Sequence, residues 1–102
     1  FGTVGALGLV KCLNWPSGAA PKEPKDLHVN VLLLGVQTDP IVGNQGVPAS
    51  AATIINAGAA SKRVMWQGLG HGASIYSACA LPPMMGYLDS GNMPPTDTYC
   101  PA

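Results

Sequence analysis

The chain is 102 residues long, with five basic and five acidic side chains, and charged residues make up only 10% of it. The cancelling charges exclude the basic surface that a nucleic-acid-binding or polybasic membrane-surface protein needs. No apolar stretch approaches the roughly 20 residues of a membrane-spanning helix. We therefore expect one small domain of marginal independent stability that neither binds nucleic acid nor crosses a bilayer.

The first residue and the composition favour a part of a larger protein. The chain begins with Phe1 rather than Met and shows no signal-peptide pattern, so we expect a processed product or a fragment. A surface this poor in charge, around a small core, is typical of a domain that packs against more protein.

The first 28 residues are predicted to form a helix and a proline-rich loop. Apolar side chains recur at every third position, at Val4, Leu7, Val10 and Leu13. This spacing favours a helix over residues 1–13. Trp15 and Pro16 would end it, and residues 17–26 are typical of an exposed loop.

A strand and a helix are predicted next. Residues 29–36 form a nearly continuous apolar run, which predicts a central parallel strand covered on both faces. Pro48 suits the first turn of a helix that runs to about residue 57 and ends at Gly58. The predicted buried stripe of this helix consists of Val47, Ala51, Ile54 and Ile55.

A second strand, predicted over residues 62–66, completes a strand-helix-strand unit. Such units are parallel, so both strands end at the same edge of the sheet, where open α/β folds carry their functional residues. Asp39 follows the first strand and His71 follows the second. At a strand spacing of ~4.8 Å, the two side chains can meet if the strands are adjacent.

Asp39 and His71 could form an acid-histidine dyad. In such a pair the carboxylate fixes the imidazole tautomer, and the other ring nitrogen accepts a proton from a nucleophile. The structural alternative is a turn-forming Asp before Pro40 and an exposed loop histidine between glycines. A metal site formed by Asp39, His71 and His28 is a weaker alternative, because no ligand spacing is recognisable.

The three cysteines, Cys12, Cys79 and Cys100, lack the C-x-x-C spacing of a zinc site. The Pro- and Gly-rich chain between Cys79 and Cys100 favours a disulfide that ties down the C-terminal tail, and Cys12 would then need a partner outside the chain. Three reduced and buried thiols in a cytosolic protein are the alternative.

The predicted organisation is therefore residues 1–28 as helix and loop, 29–88 as a βαβα unit, and 89–102 as a disulfide-tied tail. Pro82 and Pro83 would interrupt any helix that begins after His71, so we expect two short pieces or a sharp kink.

Two other functions are alternatives to catalysis by the Asp39–His71 dyad. The glycines of residues 68–73 match the loose dinucleotide-binding fingerprint, but too few residues follow for the strand that would carry a ribose-binding acid. A non-catalytic interaction domain would use Trp15, Trp66, Tyr76 and the four methionines as a contact surface.

A family resemblance favours the dyad over these alternatives. VLLLGVQTDP (residues 31–40) and GLGHG (68–72) resemble the acid and histidine segments of the α/β-hydrolase fold. Further likeness lies in CLNWP (12–16), SAC (77–79), YLDSGNMP (87–94) and the closing Cys100. In order and spacing, these segments resemble the C-terminal domain of tripeptidyl aminopeptidase-like (TAP-like) serine hydrolases over nearly the whole chain.

The resemblance implies specific roles. Asp39 and His71 take the acid and base positions of a Ser-His-Asp triad, while none of the six serines lies in the Gly-x-Ser-x-Gly turn that carries the nucleophile. We therefore expect the serine upstream of Phe1, in an N-terminal part of the same hydrolase, and no activity from this chain alone.

The expected fold is thus α/β: a C-terminal fragment of an α/β-hydrolase with an incomplete sheet of parallel strands. The expected function is a secreted exopeptidase that releases short peptides from free N-termini, or a related esterase, without a cofactor.

Overall fold

The computed structural model describes residue 10 and residues 12–102. Within them, strands and helices alternate in the order β1 (Val31–Thr38), α1 (Gly46–Asn56), β2 (Ser61–Leu69), α2 (Ala73–Tyr76), α3 (Leu81–Ser90) and β3 (Thr98–Cys100). The predicted helix over residues 1–13 falls almost entirely outside the described residues. This alternation confirms the α/β class.

The three strands form one parallel sheet in the order β1-β2-β3. β1 pairs with β2 from Val31 opposite Ser61 to Val36 opposite Trp66. β1 (VLLLGVQT) is mostly apolar, which suits a strand covered by helices, whereas β2 (SKRVMWQGL) mixes apolar with polar and charged residues. β2 is therefore the central strand of the described sheet. No described strand pairs with the outer edge of β1, so a central position for β1 stays a prediction about the complete sheet.

An irregularity lies at the carboxyl end of the sheet. Val36 pairs with Trp66, but Thr38 pairs with Leu69, so β2 has one more residue than β1 over this interval. Such a bulge bends the strand and redirects the residues that follow it. Here it changes the course of β2 shortly before His71.

Helix α1 covers one face of the sheet. Val47, Ala51 and Ile54 are half-buried, as the predicted stripe requires, but Ile55 is 58% exposed and does not belong to it. The contact is close at Gly35, where an added β carbon would lie 2.9 Å from the Val47 side chain and 2.7 Å from Met65 Sδ. Glycine at this position therefore lets the helix pack tightly on the strands.

The other face carries the buried core. Its members are Val36, Val64, Trp66, Ala73, Ala80 and Cys100, with Leu32 and Leu34 packed against them. Alternate residues of the strands supply this face, while α2 and the following turn supply the two alanines, as expected where a helix covers a sheet. The core is small: among the described residues, Val64 and Cys100 are the largest side chains that are fully buried.

The chain after His71 forms two short helices, α2 and α3, as the prolines predicted. The break lies at residues 77–80, and Pro82 and Pro83 fall in the first turn of α3. Proline is tolerated there because the first backbone N–H groups of a helix have no partner within it. The Tyr87 hydroxyl donates a hydrogen bond of 2.6 Å to the Asn30 carbonyl and so ties α3 to the amino end of β1.

Strand β3 was not predicted from the sequence. It comprises only three residues, and its contacts come from distant parts of the chain. Asp97, just before it, accepts hydrogen bonds from Arg63 on β2, and Cys100 forms a disulfide with Cys79. A short strand of this kind depends on long-range contacts for its stability, so local sequence gives little signal for it.

None of the described helices has the length and hydropathy needed to span a membrane.

Candidate active site

Asp39 follows β1 directly, and its own loop holds its carboxylate. Oδ1 accepts hydrogen bonds from the backbone N–H groups of Ile41 at 2.8 Å and Val42 at 3.1 Å. An Asp at the start of a turn commonly binds the backbone ahead of it in this way, and Pro40 favours the turn. Asn44 strengthens the loop by donating from Nδ2 to the Gln37 carbonyl at 3.0 Å. The Asp39 carboxylate therefore has a fixed orientation.

His71 follows β2 in a loop that glycines shape. Gly72 has a φ of 112°, a conformation that residues with a β carbon adopt rarely, and it precedes the first residue of α2. Gly70 donates a backbone hydrogen bond of 3.3 Å to the Thr38 carbonyl. The residues that immediately precede Asp39 and His71 are thus bonded to each other.

The structure brings the two predicted site residues together. The Nδ1 atom of His71 lies 2.8 Å from Oδ2 of Asp39, within hydrogen-bond distance. The Asp39 side chain is 7% exposed, whereas the His71 side chain is 52% exposed. The carboxylate is therefore enclosed, while the imidazole reaches the surface.

The charge state of Asp39 sets the tautomer of His71. Burial tends to raise the pKa of Asp39, but hydrogen bonds from His71 and from the backbone of Ile41 and Val42 outweigh burial and leave that pKa below its ordinary value. An ionised carboxylate can only accept hydrogen bonds, so the proton lies on Nδ1 of His71. In the neutral ring Nε2 then carries a lone pair, and no described residue forms a hydrogen bond with it.

A cleft adjoins the pair. It has a volume of about 200 Å³, and Leu34, Val36, Val47, Ser74, Asp39 and His71 are among the residues that line it. The cleft therefore lies beside β1, the strand with no described neighbour on its outer edge.

No serine hydroxyl forms a hydrogen bond with His71 among the described residues. Ser74 is the one serine that lines the cleft, and its hydroxyl forms no hydrogen bond with His71. The Ser90 hydroxyl donates to the Gly86 carbonyl within α3, and Ser61 lies at the amino end of β2, far along the sheet from His71. The Nε2 atom of His71 therefore has no hydrogen-bond partner among the described residues.

Comparison with known proteins decides the family. A family model of the α/β-hydrolases, described as TAP-like protein, matches residues 1–100. The chain belongs to the TAP-like family. Comparisons with curated proteins and with solved structures give no match. The three parallel strands with helices are consistent with part of an α/β-hydrolase fold, so this TAP-like chain is a hydrolase-related domain.

Other predicted features of the TAP-like chain lie apart from the pair. His28 precedes the amino end of β1, whereas Asp39 follows the carboxyl end, so the metal alternative does not assemble. No cluster of three or more metal-binding side chains occurs among the described residues. The Cys79 and Cys100 sulfurs are bonded at 2.02 Å, and Cys12 is an exposed free cysteine.

The residues of the alternative contact surface divide in this TAP-like chain: Trp15 and Tyr76 are 72% and 61% exposed, whereas Trp66 is buried. Trp66 is 9% exposed, so it belongs to the core and not to a contact surface. Gly68 lies within β2, and the helix after Gly72 has only four residues, unlike the strand-turn-helix of a dinucleotide site. A further strand does follow, contrary to expectation, but the acid before it, Asp97, is bound to Arg63.

Sequence reasoning missed the contacts that support His71. The Thr38–Gly70 hydrogen bond and the β2 bulge both depend on the pairing of distant residues. The one available signal was the density of glycines at positions 68, 70 and 72, which indicates close backbone approach.

Proposed function

We propose that this chain supplies the acid and the base of a Ser-His-Asp triad in a serine hydrolase, and that an N-terminal part of the same hydrolase supplies the serine. The observation that carries the proposal is the hydrogen bond of 2.8 Å between His71 Nδ1 and Asp39 Oδ2, next to an Nε2 atom free to accept a proton.

The chemistry follows from the two ring nitrogens. Nε2 of His71 takes the proton of the serine hydroxyl as the oxygen attacks a carbonyl carbon, and Asp39 stabilises the resulting imidazolium. The same proton then passes from Nε2 to the departing amine or alcohol. Water then gives a proton to Nε2 and attacks the acyl-serine, and the proton returns to the serine oxygen as the carboxylic acid product leaves. The net reaction is hydrolysis of a peptide or an ester.

The free edge of β1 supports an origin of the serine outside the described residues. Backbone groups of Val31–Thr38 on this edge have no described strand to bond with, and unpaired edges of buried parallel strands are normally covered. The cleft that His71 lines lies on this side of the sheet. A neighbouring strand there would bring its carboxyl end beside the imidazole.

Substrate class and location follow from the family resemblance and the disulfide. The resemblance to TAP-like hydrolases favours an exopeptidase that releases short peptides from free N-termini. The Cys79–Cys100 disulfide is typical of an oxidising compartment, which supports secretion.

Labelling with a fluorophosphonate probe tests the proposal in the protein that joins this chain to its serine-bearing part. We expect one labelled serine outside residues 1–102, with labelling lost in His71→Ala because the serine is no longer activated. His28→Ala removes the other histidine of the chain and is expected to label normally.

Ser74→Ala is the second control, because Ser74 is the serine nearest to the pair in sequence and lines the cleft. Peptide mapping that places the probe on Ser74, or unchanged labelling in His71→Ala, would overturn the proposal.

A further inference from the structure

Two stacked aromatic rings enclose the loop that carries His71. Trp66 lies near the end of β2 and Tyr76 is the last residue of α2, so they precede and follow the loop. Their ring centroids are 5.6 Å apart and the ring planes differ by 19°, which is a stacked arrangement. Trp66 is 9% exposed and belongs to the core, whereas Tyr76 is 61% exposed. The stack therefore anchors an exposed helix end to the core.

The Trp66 ring also contacts the backbone at the end of β2 and in the loop that follows. An added β carbon at Gly68 would overlap Cζ2 of Trp66, so the indole packs directly on this glycine. At Gly70 an added β carbon would lie 3.2 Å from Cζ3 of Trp66 and 3.3 Å from Cδ2 of Tyr76. Gly70 therefore rests against both rings.

Gly70 connects the stack to the acid-histidine pair. Its N–H donates to the Thr38 carbonyl, and the next residue in each loop contributes to the His71–Asp39 hydrogen bond. The two loops are thus joined at two consecutive positions. A shift of Gly70 away from β1 would lengthen both hydrogen bonds.

We propose that Tyr76 is a positioning residue for His71. Stacked on Trp66, its ring holds Gly70 against β1 and thereby keeps the imidazole at hydrogen-bond distance from Asp39. Its hydroxyl forms no hydrogen bond with the described residues, so the ring is the part that acts. The consequence for catalysis rests on the proposed function, but the effect on the hydrogen bond does not.

Steady-state hydrolysis by the protein carrying both parts of the hydrolase tests the catalytic consequence. Displacing a catalytic group by about 1 Å can cost on the order of 100-fold in rate, so we expect a fall in kcat of at least about 10-fold in Tyr76→Ala, with KM unchanged. Tyr76→Phe keeps the ring and is expected to retain kcat. Tyr99→Ala is the matched control, because Tyr99 is exposed to a similar degree, 59%, and lies on β3.

Proton NMR of the same proteins tests the positioning directly and needs no serine. The His71 Nδ1 proton, identified by its disappearance in His71→Ala, is expected at low field in the wild type, Tyr76→Phe and Tyr99→Ala. In Tyr76→Ala we expect it to be broadened or lost because the hydrogen bond to Asp39 lengthens.

The two measurements separate the two proposals. An unchanged Nδ1 resonance in Tyr76→Ala overturns the positioning role, as does a rise in KM alone, which would indicate substrate contact by Tyr76. Absence of hydrolysis and of probe labelling in the wild type would instead overturn the proposed function, and the NMR comparison would still decide the role of Tyr76.

Discussion

Asp39 and Asp97 accept the same number of hydrogen bonds but have different kinds of partner. Asp97 receives all three from Arg63, through its backbone N at 2.9 Å, Nε at 3.0 Å and Nη2 at 2.7 Å. Asp39 receives two from its own loop and one from His71. In both cases hydrogen bonding leaves the carboxyl pKa below its ordinary value.

The difference lies in what the partner can do with a proton. The arginine guanidinium keeps its charge throughout the working range of proteins, and Asp97 raises the pKa of Arg63 further. That pair can hold β3 against β2 but cannot transfer a proton. The imidazole of His71 can gain and lose a proton at Nε2. The comparison separates a carboxylate that pairs with a permanently charged partner beside β3 from one that, in the proposed function, works with a proton-carrying partner beside the open edge of β1.

The largest expected effect comes from Asp39→Asn. An amide cannot stabilise the imidazolium or fix the tautomer as a carboxylate does, so we expect kcat of the complete hydrolase to fall by about 10⁴-fold. The temperature of unfolding should fall by a few degrees at most, because an Asn oxygen can still accept from Ile41 and Val42 although the charged hydrogen bond with His71 is lost. Kinetics together with calorimetry measure both effects. Retained kcat would contradict the chemical role of Asp39.

Breaking the disulfide should have the next largest effect, on stability. Cys79→Ser removes the disulfide between residues 21 positions apart, and Cys79 is the exposed member of the pair, so the substitution leaves the core unchanged. We expect a loss of about 3 kcal/mol in the free energy of unfolding. Urea unfolding measures it. Cys12→Ser is the control, because Cys12 is exposed and free, and it should leave stability unchanged. Mass mapping that finds free thiols at Cys79 and Cys100 in the wild type would rule out this pairing.

Asp97→Asn should give a smaller loss of stability and leave activity intact. The side chains of Arg63 and Asp97 are 32% and 28% exposed, so solvent screens part of their attraction. We expect the temperature of unfolding to fall by a few degrees, with kcat at 25 °C unchanged. A large fall in kcat without a change in stability would contradict the division between the two carboxylates.

The smallest effect concerns acid stability. Because the folded-state pKa of Asp97 is lowered, the unfolded chain binds the proton more tightly than the folded chain. Its stabilising contribution is complete above the ordinary value of 3.8 and is lost as pH falls through the lowered pKa. The free energy of unfolding in the wild type should therefore decline below about pH 4, and Asp97→Asn should flatten that slope. Asp39 adds to the decline in the same direction. A slope identical in wild type and Asp97→Asn would contradict the assignment.

Local patterns were sufficient for most of the βαβ unit. The apolar run before Asp39 predicted β1, and Pro48 and Gly58 marked the two ends of α1. Both predictions were correct to within two residues at each end, since strands and helices have distinct periods and end signals. Ile55 was misassigned because a helix pattern does not reveal how wide the covered face is.

The amino-acid sequence by itself determined the order of the elements from β1 to α3, the balance of charge and the placement of Asp39 and His71 after two parallel strands. Only the tertiary structure decided that their atoms meet, that Trp66 and Tyr76 stack beside Gly70, and that Asp97 bonds to an arginine 34 residues away. The reason is physical: periodicity and turn chemistry act between near neighbours, whereas strand register and side-chain contacts depend on how the whole chain packs.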